Sequence, residues 1–171
     1  MKLYKYMDQH RLDYKIYPHT EVHDAQRLAE ALGVPGHNVA KTVMLYADHG
    51  YACVLVVLPA TDHVDLGLVS KCLGGAEVRM ATQAEIAARC PECEYGVLPP
   101  FGSCFGMRTI VDASLAEHED LFFQGCSRHE AIRLNYRDYF EIEHPLVADV
   151  AQRERPPKDA SGRETKVESR R

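Results

Sequence analysis

Two short stretches hold the residues best suited to chemistry. The first is Lys41-Thr42, at the head of the apolar run Val43-Met44-Leu45. Strand alternation would put Val39, Lys41, Val43 and Leu45 on one face and Ala40, Thr42 and Met44 on the other. A lysine in register with three aliphatic side chains is costly to bury unless it has a partner or a function. Otherwise its amine must reach water at an open strand end. The second stretch is Gly96-Val97-Leu98-Pro99-Pro100-Phe101-Gly102. Each proline fixes φ near about −65° and removes a donor, and each pushes its predecessor into extended geometry. Gly96 and Gly102 permit turns or a close approach of backbone to a ligand. Phe101 would anchor the loop by burying its ring. Such a stiff loop can be a structural turn, or it can hold a small polar ligand or a water.

Other candidates have two readings each. Thr20, between His19 and His23, could reach a substrate from the loop before a helix, or serve turn chemistry. His129 could orient water or hydrogen-bond a substrate, or be a surface histidine. Asp112 could line a pocket or cap a strand end, and the cap is the better reading. Cys90-Pro91-Glu92-Cys93 has the spacing of half a zinc site, but a structural site needs two further ligands. A redox pair of this type should open a helix after a strand, whereas this one follows a helix, so free thiols near the pocket rim are expected.

These residues need a scaffold. Leu3, Tyr6 and Met7 have helical spacing. Tyr14 and Ile16 alternate up to Pro18, as in a strand. Asp24 caps a helix over 25–32 that Gly33 and Pro35 end. Residues 38–47 and 51–58 read as a hairpin across Asp48-His49-Gly50. Leu66, Val69, Cys72 and Leu73 form a helical face closed by Gly74-Gly75. Residues 78–80 form a short strand, and Thr82 to Glu85 has capping-box spacing. Strands are expected at 109–111, 121–123 and 131–134, and a capped helix after Asn135. Helices and strands mix without a strict βαβ rhythm. The expected class is therefore α+β, a single domain with a mixed, largely antiparallel sheet.

The chain has 171 residues, 46% of them apolar, enough for one core without disulfides or metal. The six cysteines are expected to be free thiols. No apolar run is long enough for a membrane span. The first residues lack an apolar signal segment, and a cytoplasmic location is the expectation. Net charge is −5, which argues against a general nucleic-acid binder. The charge is uneven: residues 152–171 hold seven basic and four acidic side chains, the rest 13 basic and 21 acidic. Residues 152–171 read as a disordered polar tail, and 1–151 as the domain.

Lys41-Thr42 and the Gly-x-x-Pro-Pro-Phe-Gly loop occur in order with other pieces. Ala31-Leu32-Gly33-Val34-Pro35 comes before, and Val54-Leu55-Val56-Val57-Leu58-Pro59-Ala60 follows Lys41. Ile110-Val111-Asp112, Phe123-Gln124-Gly125 and His144-Pro145-Leu146-Val147-Ala148 come after the loop. This order resembles the YbaK/ProX family of aminoacyl-tRNA deacylases, related to the editing domain of bacterial prolyl-tRNA synthetases. The resemblance implies a curved mixed sheet flanked by helices and a hydrolase acting on mischarged tRNA, with Cys-tRNA-Pro and Ala-tRNA-Pro as precedents. It implies that Lys41 contacts the tRNA 3′ end as a point charge. Backbone N–H groups at Gly96 and Gly102 would stabilise the oxyanion. Thr20, Thr42, Pro100, Phe101 and His129 would bind substrate. No metal or organic cofactor is implied; the expected partners are aminoacyl-tRNA and prolyl-tRNA synthetase. Two other classes remain. One is a non-catalytic module holding an aminoacyl-tRNA end, a nucleotide or a partner protein, which suits the acidic body. The other is a small zinc protein using Cys90 and Cys93.

Overall fold

The computed structural model describes residues 2–48, 52–95 and 97–152. Met1, residues 49–51 where the hairpin turn is expected, Gly96, and residues 153–171 of the expected polar tail lie outside the described residues. Local signals set most elements. Helix α1 (Lys2–Gln9) buries Leu3 and Met7, and strand β1 (Tyr14–Pro18) follows. Asp24 caps α2 (Ala25–Leu32) by accepting from the Arg27 amide at 2.7 Å, and Gly33 closes it at φ 66°. A 3-10 turn (Gly36–Asn38) then delays β2 (Ala40–Ala47) by two residues relative to the expected start. β2 pairs antiparallel with β3 (Ala52–Pro59), Lys41 facing Leu58. β3 is buried from its second residue onward, because both sheet faces are covered.

Next come β4 (His63–Val64), α3 (Leu66–Cys72), β5 (Val78–Met80) and α4 (Gln83–Arg89). Thr82 caps α4 by accepting from the Glu85 amide, as the capping-box spacing predicts, and the Glu85 carboxylate also binds Arg79, at 2.8 and 3.2 Å. The remaining elements are β6 (Arg108–Asp112), β7 (Asp120–Gln124), β8 (Glu130–Asn135), α5 (Tyr136–Glu143), β9 (Leu146–Ala148) and β10 (Ala151–Gln152).

The main sheet has the order β5-β2-β3-β6-β9, with β3–β6 and β6–β9 parallel. A second, antiparallel sheet has the order β1-β8-β7, and β10 pairs with β4. A single bridge between Val39 and Phe122 links the two larger sheets. One face of the main sheet packs Leu45, Val54, Val56, Leu58 and Ile110 on Val69 of α3 and on Leu73, which caps its end. The other packs Met44, Leu55, Val57 and Val111 with Phe101, Phe123, Ile132 and Tyr139. Helix α2 covers Val39, Ala60 and Ala131 at the junction of the sheets. The result is a mixed α+β domain, as expected. Among the described residues no helix is long and apolar enough to cross a membrane.

Candidate functional site

Four separate segments wall a cleft of about 200 Å³. His23, Asp24 and Ala25 come from the start of α2, and Ala40, Lys41 and Thr42 from the first turn-free residues of β2. Leu98 comes from the proline loop and Gln124 from the last position of β7. The cleft lies at a sheet end, where the start of β2 faces the close of β3. Strand alternation holds as expected: Val43 and Leu45 enter the core beneath α3, and Lys41, at the strand mouth, is half-buried. Burial pushes the Lys41 ammonium below the ordinary lysine range. The carboxylates of Asp62 and Asp24 oppose that shift and favour its charged form. Asp62 is 8% exposed, just beyond the end of β3, where the Thr61 hydroxyl donates to it at 3.5 Å. Thr42 points to the opposite face. Its Oγ1 is buried and makes no hydrogen bond among the described residues. An orphaned buried hydroxyl costs free energy, so an acceptor or donor in the cleft would stabilise it.

The proline loop reaches this cleft through Leu98 and buries Val97, Pro99, Pro100 and Phe101. Phe101 is fully buried, edge-on to Tyr139 (5.2 Å), Tyr6 (5.7 Å) and Phe123 (6.0 Å). Burying that ring contributes about 1.5–3 kcal/mol. The Pro100 carbonyl accepts from the Tyr139 hydroxyl at 2.7 Å. The Gly102 amide donates to Thr109 Oγ1 at 3.0 Å, and Thr109 Oγ1 donates to Glu143 Oε1 at 2.5 Å. Ser103 donates twice more to the same carboxylate, from its amide at 3.1 Å and its hydroxyl at 2.8 Å. Burial raises the Glu143 carboxyl above its ordinary range, and these hydrogen bonds pull the other way. A side chain at Gly102 would put Cβ 2.6 Å from the Met107 carbonyl oxygen. Glycine is needed there for close backbone packing onto β6.

The structure thus brings Lys41 and Thr42 together in one cleft and places Thr20, Pro100, Phe101, Gly102 and His129 elsewhere, while Gly96 lies outside the described residues. The Gly102 N–H, expected as an oxyanion donor, is already engaged by Thr109. Pro100 and Phe101 are core residues behind the loop. Thr20 is exposed, its carbonyl 2.6 Å from His19 Nδ1. His129 is exposed, and its carbonyl accepts from the His19 amide at 2.8 Å. Neither side chain lines the cleft. Asp112 is a cap: its carboxylate accepts from the Ser114 and Val150 amides at 3.2 and 3.0 Å. His23, Asp24, Leu98 and Gln124 are the additions. Only Asp24 carries a local signal, and that signal is its helix cap.

The Cys90/Cys93 pair sits after α4, as expected, and a third thiol, Cys126, adjoins it. The Glu94 amide donates to the Cys126 carbonyl at 3.1 Å. Hydrogen bonding with Cys93, together with burial, pushes the Cys90 thiol far up. All six cysteines are free. Among the described residues no group of three His, Cys, Asp or Glu side chains is arranged to hold a metal ion.

Comparison with known proteins gives a consistent picture. A family profile described as the aminoacyl-tRNA editing domain matches residues 19–142. No curated protein matches the chain by sequence. A crystal structure of a hypothetical protein superposes with TM-score 0.80 at 20% identity, over 89% of this chain and all of that one. A crystal structure of a proposed trans-editing enzyme for prolyl-tRNA synthetase gives TM-score 0.76 at 18% identity, over 88% of this chain and 95% of that one. A proposed signal transduction protein from Marinobacter aquaeolei VT8 gives TM-score 0.68 at 17% identity, over 88% of this chain and 30% of that one.

Proposed function

Because the chain belongs to the aminoacyl-tRNA editing domain family, we propose that it is a trans-editing deacylase that hydrolyses the ester of a mischarged aminoacyl-tRNA. The substrate in this reading is a tRNA-Pro carrying Cys or Ala, with prolyl-tRNA synthetase as the partner and the cytoplasm as the place of action. One observation carries it: a half-buried lysine and an orphaned threonine hydroxyl share a cleft whose volume suits a small aminoacyl group.

Ester cleavage builds negative charge on the carbonyl oxygen and needs a positioned water. Lys41 supplies the cation. Asp24 and Asp62 favour its charged form against the cost of burial. As a compact point charge it suits the phosphate or ribose of the terminal nucleotide. Thr42 Oγ1 hydrogen-bonds the aminoacyl group, and Leu98 and Ala40 limit the length of its side chain. With the Gly102 amide engaged, Gly96 is the loop glycine that supplies a backbone donor, and the substrate's own 2′-hydroxyl orients the water. No cofactor enters this scheme.

The test is deacylation of a panel of labelled aminoacyl-tRNAs by wild type and Lys41→Ala at low salt. Turnover of one mischarged tRNA that is lost in the variant supports the reading and names the substrate. A second reading, a binding module without turnover, is favoured by the engaged Gly102 amide. Tight binding of aminoacyl-tRNA by folded protein with no hydrolysis of any panel member would decide for it.

A further inference from the structure

Arg128 lies just after β7, in the turn before β8, and does not line the cleft. Its side chain is 22% exposed. It nevertheless contacts two distant stretches of chain. Its amide donates to Glu94 Oε2 at 2.8 Å, and its Nη2 donates to the Tyr95 carbonyl at 2.5 Å. The guanidinium stands 5.9 Å from the centre of the Tyr95 ring. On the other side, the Arg128 carbonyl accepts from the Val22 amide at 3.1 Å, and Nη1 is 3.8 Å from Glu21 Oε1.

Each stretch leads directly into a wall of the cleft. Val22 precedes His23, Tyr95 begins the run that reaches Leu98, and Arg128 continues the chain from Gln124. Gln124 Nε2 also donates to the Val22 carbonyl at 3.3 Å, which closes the ring of contacts. We propose that Arg128 is the positioning residue that fixes the His23, Leu98 and Gln124 walls of the cleft relative to one another, a role that rests on the deacylase reading for its effect on turnover.

Arginine suits this task because its planar fork offers several donors in fixed geometry, whereas a lysine offers one mobile point charge. The exposed ion pair with Glu21 adds little, so the Tyr95 carbonyl bond is the main side-chain tie. Arg128 belongs to none of the three apolar clusters, so its removal should disturb the walls and leave the core standing. Catalysis is sensitive to such shifts, because displacements of about 1 Å cost up to roughly a hundredfold in rate.

The experiment compares wild type with Arg128→Ala and Arg128→Lys by steady-state deacylation of the substrate found in the panel, by backbone amide NMR, and by thermal melting. Expected is a fall in kcat of roughly tenfold or more in both variants, with little change in KM. Amide signals of His23, Leu98 and Gln124 should move, while those of Leu45 and Ile110 on the far sheet face should not. If Arg128→Ala fails to fold, Arg128→Lys, which keeps the stem and charge, carries the test. Kinetics like wild type in a folded variant would overturn the proposal. So would a rise in KM alone, which would place Arg128 against the substrate. If wild type turns over no aminoacyl-tRNA, the deacylase reading fails, and the amide signals decide alone: unmoved His23, Leu98 and Gln124 overturn the positioning role.

Discussion

Gly102→Ala tests the packing of the proline loop directly. The added Cβ would stand 2.6 Å from the Met107 carbonyl oxygen and 3.1 Å from its carbon, and would also press on Thr109 Oγ1. Backbone atoms cannot rotate away, so the loop must lift from β6. Overpacking of this kind costs about 1–3 kcal/mol. Lifting also stretches the Gly102–Thr109 hydrogen bond and its Glu143 continuation, each contributing about 1 kcal/mol. Gly102 is not among the positive-φ glycines, so alanine suffers no backbone strain there, and lower unfolded-state entropy returns about 0.4–1 kcal/mol. The net loss is about 2–4 kcal/mol. Urea denaturation of both proteins reads it as a fall in midpoint at constant slope. A loss below about 0.5 kcal/mol, the range of an ordinary surface change, would refute the claim that Gly102 is a packing glycine.

Three further outcomes follow from the same geometry. Lys41→Ala should lower deacylation about a hundredfold or more without lowering the melting temperature, because it removes a half-buried charge; single-turnover kinetics and a thermal melt check both. Tyr139→Phe leaves the buried Pro100 carbonyl without its donor and should cost about 1–3 kcal/mol by urea denaturation. Glu143 titrates higher in the folded chain than its ordinary value of 4.5. The native state therefore binds that proton more tightly, and the group's contribution is most favourable below pH 4.5 and is lost as pH rises through the folded value. Relative to Glu143→Gln, the wild type should gain stability as pH is lowered through this window. A stability difference that does not vary with pH would contradict the raised value.

Local physics made much of this fold readable. Asp24, Thr82 and Asn135 each stand before a helix and each accepts amide hydrogen bonds there. The β2–β3 hairpin follows from two apolar runs across a turn. β9 was not readable: three residues carry no usable period, and its pairing with β6 is settled by tertiary packing. The site divides in the same way. Lys41 stood out because burying an amine among aliphatic residues is expensive. Leu98 and Gln124 gave no such signal, because only the docking of the loop and of β7 brings them to Lys41. Gly102 was visible as a special residue, but close packing and ligand approach make the same demand on the sequence. The structure supplies the packing partner, Met107.

The walls of the cleft come from positions 23–25, 40–42, 98 and 124. During synthesis the lysine therefore leaves the ribosome long before its surroundings exist. β7 must also wait for β8 to pair with it. A nascent or truncated chain ending before β8 would carry Lys41 with no enclosed site around it. The ability to engage an aminoacyl-tRNA is thus gained late and all at once, when most of the domain has been made.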